Sequence, residues 1–348
     1  MAGVLISRLL DEGLTVHATV RAENCADNPR YKYLFDMAKG KPGTLKLFSA
    51  DLTKEGSFEK AMAGVGIVFH TASPFPSYTV TDPEEQLIKP AVQGTEIVLN
   101  QVAKTKTVHT VVLTSSCAAM YTASCEVHET PLTEAVWNRT ASLSYLPYAY
   151  SKTMAELAAW TMAGSEQQYR LVVINPGLVV GPGVKYHESS QSNSFILSLS
   201  KDPTMLSIGI PDMSFGFVDV RDVADAHVAA AFDRTSRGRY VCLGCSAGYT
   251  DCGRILHNQF PDYPIAHRKS WIPKIIYWLV ARFVGVDPAF LWNSIGYNFR
   301  YDASKIIDNL GMEFRPFEET LRDMYQQFID EGVVSKTNPG SKETKKAK

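Results

Sequence analysis

With 348 residues, 45% hydrophobic and 20% charged, and a formal net charge of -1, the chain has the make-up of a soluble globular protein with a large core, and its few scattered cysteines are expected to be the reduced thiols of a cytoplasmic one. The near balance of charge excludes the basic footprint of a nucleic-acid binder. Six cysteines are too few and too scattered for a disulfide framework. Cys242 and Cys245 lack a second ligand pair at suitable spacing, so no metal site is expected.

The chain opens on MAGVLISRLLDEG. Ala2, Leu5, Ile6, Leu9 and Leu10 fall on one helical face, and Gly13 sits where a helix C-terminus favours a left-handed residue. Charged Arg8, Asp11 and Glu12 interrupt the apolar stretch that a secretory signal needs. Apolar strands are expected at residues 14–20, 44–48, 66–70, 108–113 and 171–174, with helices at roughly 55–63, 84–104 and 148–164. This alternation predicts an α/β fold built on a doubly wound parallel sheet. After Pro176 the pattern loosens into loops, short strands and helices, as expected of a smaller lobe over the sheet's C-terminal edge. Residues 271–286, WIPKIIYWLVARFVGV, are too short for a span and contain Pro273, Lys274 and Arg282, so an amphipathic surface helix or pocket wall is expected rather than stable membrane insertion. The polar tail at 335–348 is expected to be disordered.

In such sheets the ligand lies beyond the carboxyl ends of the strands. The residues there are Arg21, Asp51, Thr71, Ala72, Ser73, Ser115, Ser116, Asn175, Pro176 and Gly177. A cation at Arg21, with Arg30 and Lys32 nearby, suits a ribose 2'-phosphate, although taken by itself the position reads better as a solvated surface arginine. Asp51 either faces an adenine ring or merely closes a turn. Two stretches match Tyr-x-x-x-Lys, one at Tyr148 and Lys152 and one at Tyr301 and Lys305. On a helix this spacing places phenol and ammonium on one face, where the ammonium is expected to lower the tyrosine pKa from about 10. Only Tyr148 follows a strand ending in hydroxyls, VVLTSS, and opens a long helix rich in small residues. Tyr301 is read as structural.

The chain resembles an extended short-chain dehydrogenase/reductase of the dihydroflavonol reductase, cinnamoyl-CoA reductase and aldehyde reductase group. The resemblance rests on TVHATVR, SADLTKEGSFEKAMAGVGIVFHTASP, PAVQGT, VVLTSS, YAYSKTMAELAAW, INPGLVVGP, GFVDVRDVADAHVAA and FRYDASKIIDNLGMEFRPFEETLRDM, in that order. It implies a Rossmann-like NADP-binding domain over 1–178 and a substrate lobe over 179–334, with some segments of the lobe returning to the first domain. It implies a catalytic set of Ser116, Tyr148 and Lys152. It also implies NADP(H) contacts from Arg21, Arg30, Asp51, Leu52, Thr71, Ala72, Ser73, Tyr148, Lys152, Pro176, Gly177, Leu178 and Val179.

The implied activity is NADPH-dependent reduction of a small aromatic or hydrophobic ketone or aldehyde by a monomer or homodimer. Its pocket would lie among Ser116, Tyr148 and residues 188–195 and 213–217, with Phe195, Phe215, Phe217 and Trp271 either as walls or as plain core. A nucleotide-sugar epimerase or dehydratase is the sister alternative; Cys117, Ala118 and Ala119, rather than acidic residues, follow the hydroxyl and tell against it. Aligning residues 11–13 with the end of the group's first helix puts Ala2 at the third position of the glycine fingerprint. The first strand is therefore expected to be absent, leaving a gap between residues 14–20 and 66–70. Weak NADPH binding is expected in consequence, and a non-catalytic or regulatory homologue is a second alternative.

Overall fold

The computed structural model describes residues 1–23, 25, 28–72, 80–165 and 168–336. The first helix, Ala2–Asp11, buries Leu5, Leu9 and Leu10 and ends before Gly13, whose φ of +75° spares any side chain the left-handed strain. Nine strands follow among the described residues: β1 (Thr15–Val20), β2 (Thr44–Ser49), β3 (Ile67–His70), β4 (Thr110–Thr114), β5 (Arg170–Pro176), β6 (Leu178–Val180), β7 (Ser214–Asp219), β8 (Gly238–Cys242) and β9 (Cys245–Gly248). The five expected strands all form, with ends shifted by a residue or two. β4 and β5 are buried almost throughout, which is why they read as unbroken apolar runs rather than alternating ones.

Parallel ladders join β1 to β2 and order a second sheet as β3-β4-β5-β8, so β8 returns from beyond Pro176 to lie beside β5. A third sheet, β6-β7-β9, carries the parallel pair β6-β7 and the antiparallel pair β7-β9. Gly177 makes the passage from β5 to β6 possible. A Cβ there would collide with the Gly216 carbonyl and the Leu243 side chain, so close backbone approach requires glycine.

Two helices depart from expectation. Instead of filling residues 55–63, the helix there spans only Glu59–Met62, because Gly56 adopts φ +73° and Ser57 is tied to the Asp51 backbone through its hydroxyl. The expected helix at 84–104 is Lys89–Lys104 preceded by a wider turn, Glu84–Ile88; Pro90 withdraws the amide that an α-helical entry would use there.

No ladder joins β1 to β3 among the described residues. Their facing edges border a cavity of about 600 Å³, lined by Val16, Ala18, Ile67, Phe69 and, from the first helix, Leu5 and Leu9. This is the gap expected from the sequence. The two-stranded sheet is held instead through the first helix, where Leu5 and Leu9 pack on Ala224 and Arg8 Nε donates to Asp225 Oδ1 at 2.8 Å.

Two histidines are buried as neutral rings. His227 Nδ1 donates to the Val223 carbonyl at 2.7 Å and Nε2 accepts from Thr114 Oγ1 at 2.6 Å, and burial lowers its pKa to about 4 despite the Val223 bond. His70 is lowered to about 4 by burial, with a smaller contribution from Lys152. Both folded pKa values lie below the unfolded value of about 6.5, so their contribution to stability is complete above that pH and is lost as pH falls toward 4. Urea unfolding should therefore show a loss of about 2 kcal/mol between pH 6.5 and 5.5, where carboxylates with ordinary pKa values remain ionised. Unchanged stability over that interval would contradict the neutral, buried assignment.

Candidate active site

The site is built where β4 ends. β4 lies between β3 and β5, and the next residue, Ser115, donates its amide to the Ile174 carbonyl at 2.9 Å. Ser116 then turns the chain. In extended conformation, it caps the short 3-10 turn Cys117–Ala119, its Oγ accepting the Ala118 amide at 3.1 Å. The carbonyl of Ser116 receives Asn175 Nδ2 at 3.2 Å, and Cys117 Sγ donates to the Asn175 carbonyl at 3.1 Å. Ser116 thus stands on the ends of two central strands.

Helix Pro147–Ser165 packs against this turn and carries Tyr148 and Lys152. Entry is abrupt: Leu146, with φ +51°, is the one non-glycine residue in left-handed conformation among those described, and Pro147 follows it. Lys152 Nζ lies 5.8 Å from the centroid of the Tyr148 ring. The lysine is 9% exposed; burial lowers its pKa to about 8, opposed by the charge of Glu156. Burial raises the Tyr148 phenol to about 12. The expectation of an acidified tyrosine is therefore corrected. In the protein alone the cost of burying phenolate outweighs the benefit of the nearby cation.

Sequence reasoning missed Glu156, one turn beyond Lys152. Its carboxylate is fully buried and accepts from Ser115 Oγ at 2.5 Å, Asn175 Nδ2 at 2.9 Å and Arg239 Nε at 2.6 Å. Arg239 comes from β8 and stacks on the Trp137 ring at 3.9 Å. The available signal was a carboxylate four residues past Lys152 in an otherwise apolar helical stretch, because acids are rarely buried unless paired.

Of the residues expected to hold a cofactor, Leu52, Ala72 and Lys152 meet. They line a cavity of about 20 Å³ together with His70, Thr114 and Glu156. Thr71 lines the larger cavity beside β3. Arg21 and Arg30 are exposed. Asp51 closes its own turn, Oδ1 accepting the Thr53 amide at 2.9 Å and hydroxyl at 2.8 Å, and these bonds hold its pKa below the usual carboxylate value. Pro176 ends β5, Gly177 is a packing requirement, and Leu178 and Val179 pair with Phe217 and Val218 while packing against core clusters. Ser73 lies outside the described residues.

The aromatic residues divide. Phe195 stacks on Tyr249 at 4.1 Å and meets Phe215 edge-on at 5.3 Å, whereas Phe217 is fully buried in the core. Trp271, expected as a possible wall, is 78% exposed. It stands ahead of helix Lys274–Val280, which itself buries no residue, so nothing in that element draws Trp271 inward. Residues 188–195 are mostly a helix start: Ser190 Oγ accepts the Asn193 amide at the entry to helix Gln191–Lys201. The second tyrosine-lysine match does not share a helical face. Tyr301 bridges to Leu132 before helix Ser304–Leu310, and Lys305 Nζ donates to the Arg237 and Arg239 carbonyls.

Comparison with known proteins agrees with the expected resemblance. The model of the NAD dependent epimerase/dehydratase family matches residues 2–242. Tetraketide alpha-pyrone reductase 2 of Arabidopsis thaliana is 36% identical over 273 residues, covering 78% of this chain and 83% of the relative. Cinnamoyl-CoA reductase CAD2 of Medicago truncatula is 36% identical over 283 residues, with the same 78% and 83% coverage. Among solved structures, Gre2 of Candida albicans in complex with NADPH superposes with a TM-score of 0.74 at 28% identity, covering 94% of this chain and 95% of that one. With a strand-and-helix framework of that kind and a match over more than half its length, the chain belongs to the NAD dependent epimerase/dehydratase family.

Proposed function

We propose that this protein is an NADPH-dependent reductase that converts a small hydrophobic or aromatic ketone or aldehyde to an alcohol. The observation that carries the reading is the pairing of half-buried Tyr148 with buried Lys152 on one helix, packed against the Ser116 turn at the end of β4. The reductase relatives and the NADPH complex of a structural neighbour support the same class of reaction.

The donor set suits the dinucleotide at both ends. The exposed guanidiniums of Arg21 and Arg30 suit a 2'-phosphate, and Lys152 would hold the nicotinamide ribose. When bound, NADPH supplies the hydride. Tyr148 supplies the proton to the carbonyl oxygen; a phenol with its pKa raised to about 12 is fully protonated at neutral pH, as an acid in the reducing direction must be. Ser116 Oγ, already accepting the Ala118 amide, directs its own hydrogen to the same oxygen as charge develops. Lys152 steadies that charge from behind the ring. The Phe195 and Phe215 rings provide an apolar, aromatic surface for the rest of the substrate.

The cavity between β1 and β3 favours a second reading, that of a weakly NADP-binding, non-catalytic homologue, because the pyrophosphate would lie beside an incompletely paired part of the sheet.

Two outcomes separate these readings. Tyr148→Phe should lower turnover by about 100- to 10,000-fold while leaving NADPH binding, followed by nicotinamide fluorescence, within about threefold of the parent; near-parental reduction by this variant would sink the proton-donor role, and no NADPH binding by the parent would favour the non-catalytic reading. The pH dependence gives an independent check. In steady-state assays kcat/KM for reduction should fall as pH rises through about 8, where Lys152 loses its proton. A profile flat across that pH contradicts the role given to the ammonium.

A further inference from the structure

We propose that the outer face of residues 271–292 docks this protein on an anionic bilayer surface. Thirteen large apolar side chains are exposed among the described residues, and eight of them lie in this one stretch. Trp271, Leu279 and Phe283 are 78%, 58% and 90% exposed, with Ile275, Trp278 and Trp292 beside them. Exposed apolar residues scattered singly need no explanation, but a concentration of this size marks an interaction surface.

The segment is folded, not loose. It consists of helix Lys274–Val280, the 3-10 turn Ala281–Val284 and helix Pro288–Ser294, whose inner side buries Ala281 and Leu291 against Met213 and Ile295. Lys274 Nζ is held over the Trp292 and Tyr297 rings at 4.8 and 4.7 Å, fixing a cation at the edge of the apolar face.

Charge selects the occupant. From residue 268 to residue 286 the chain carries Arg268, Lys269, Lys274 and Arg282 and no acid, within a protein whose net charge is -1. The first acid beyond, Asp287, is engaged in capping, its Oδ1 accepting the Ala289 amide at 2.8 Å. Lys269 pairs with Asp212, whereas Arg268 and Arg282 are exposed and make no ion pair among the described residues. Tryptophan and phenylalanine flanked by arginine and lysine match the boundary between acyl chains and anionic headgroups. A second copy seated on this face by a two-fold axis would bring the same cations toward one another, which disfavours self-association. The helices are seven residues each, and no described helix is long and apolar enough to cross a membrane, so the segment would lie in the interface plane. Delivery of an apolar carbonyl compound from the bilayer rests on the reductase reading; the docking itself does not.

The test is co-sedimentation of the full chain with sucrose-loaded vesicles at low ionic strength. Vesicles of phosphatidylcholine mixed with phosphatidylserine should bind at least about tenfold more tightly than phosphatidylcholine alone, and added salt should weaken the binding. Phe283→Ser and Arg282→Glu alter exposed side chains and should keep the parent's melting temperature, yet each should weaken binding, the former by about tenfold. Independently of any variant, tryptophan emission of the parent should shift to the blue on adding the mixed vesicles. Failure of the parent to bind them, equal binding by Phe283→Ser, or a parental dimer that Phe283→Ser dissociates in the absence of vesicle binding would each overturn the proposal.

Discussion

The fully buried carboxylate of Glu156 is the constraint around which the site is arranged. An ion taken out of water is tolerated only when its oxygens are satisfied, and here they are satisfied by groups from several separate parts of the chain. Ser115 comes from the end of β4, Asn175 from β5, Arg239 from β8 and Trp160 from the same helix. Because these donors are themselves fixed in a parallel sheet, the helix bearing Tyr148 and Lys152 can neither slide nor rotate without stranding a charge. The carboxylate also sets the field at Lys152, partly offsetting the burial that draws the ammonium toward neutrality. Replacing such a cluster by apolar residues is often tolerated by folds, so its presence is better explained by the positioning it imposes than by stability.

The opposite side of the molecule is organised differently. β1 and β2 form a sheet of their own, linked to the remainder through the apolar stripe of helix Ala2–Asp11 and the Arg8 and Asp225 pair. The pair is partly exposed and contributes little in water, so the Leu5 and Leu9 contacts with Ala224 carry most of this attachment. The site therefore has a rigid end, near Ser116 and Lys152, and an end whose strands border an open cavity.

Much of this was legible in the sequence, for identifiable reasons. β4 and β5 were readable because both faces are covered, which leaves an uninterrupted apolar signal. The Tyr148 match was separable from the Tyr301 match because strand, hydroxyls and helix follow in order only at the first; Tyr301 precedes its helix in a bridge to Leu132. Burial was the quantity that escaped. It reversed the expected shift of Tyr148, moved Phe217 into the core and Trp271 to the surface, and concealed Glu156, whose partners lie as far away in sequence as Arg239. Gly177 illustrates the same limit, since its necessity depends on the Gly216 backbone and the Leu243 side chain brought against it by the fold. Whole-chain charge likewise averages away the local cationic stretch around Lys274 and Arg282.

The central claim, that one buried carboxylate holds the helix bearing Tyr148 and Lys152 to the sheet, is tested most directly by a double-mutant cycle on Glu156→Gln and Arg239→Met, read by urea unfolding. Each single change should cost about 3–5 kcal/mol by leaving its partner buried without a counter-charge, and the double variant should recover at least about 1 kcal/mol of the summed loss. Additive effects, or a Glu156→Gln protein as stable as its parent, would contradict the account.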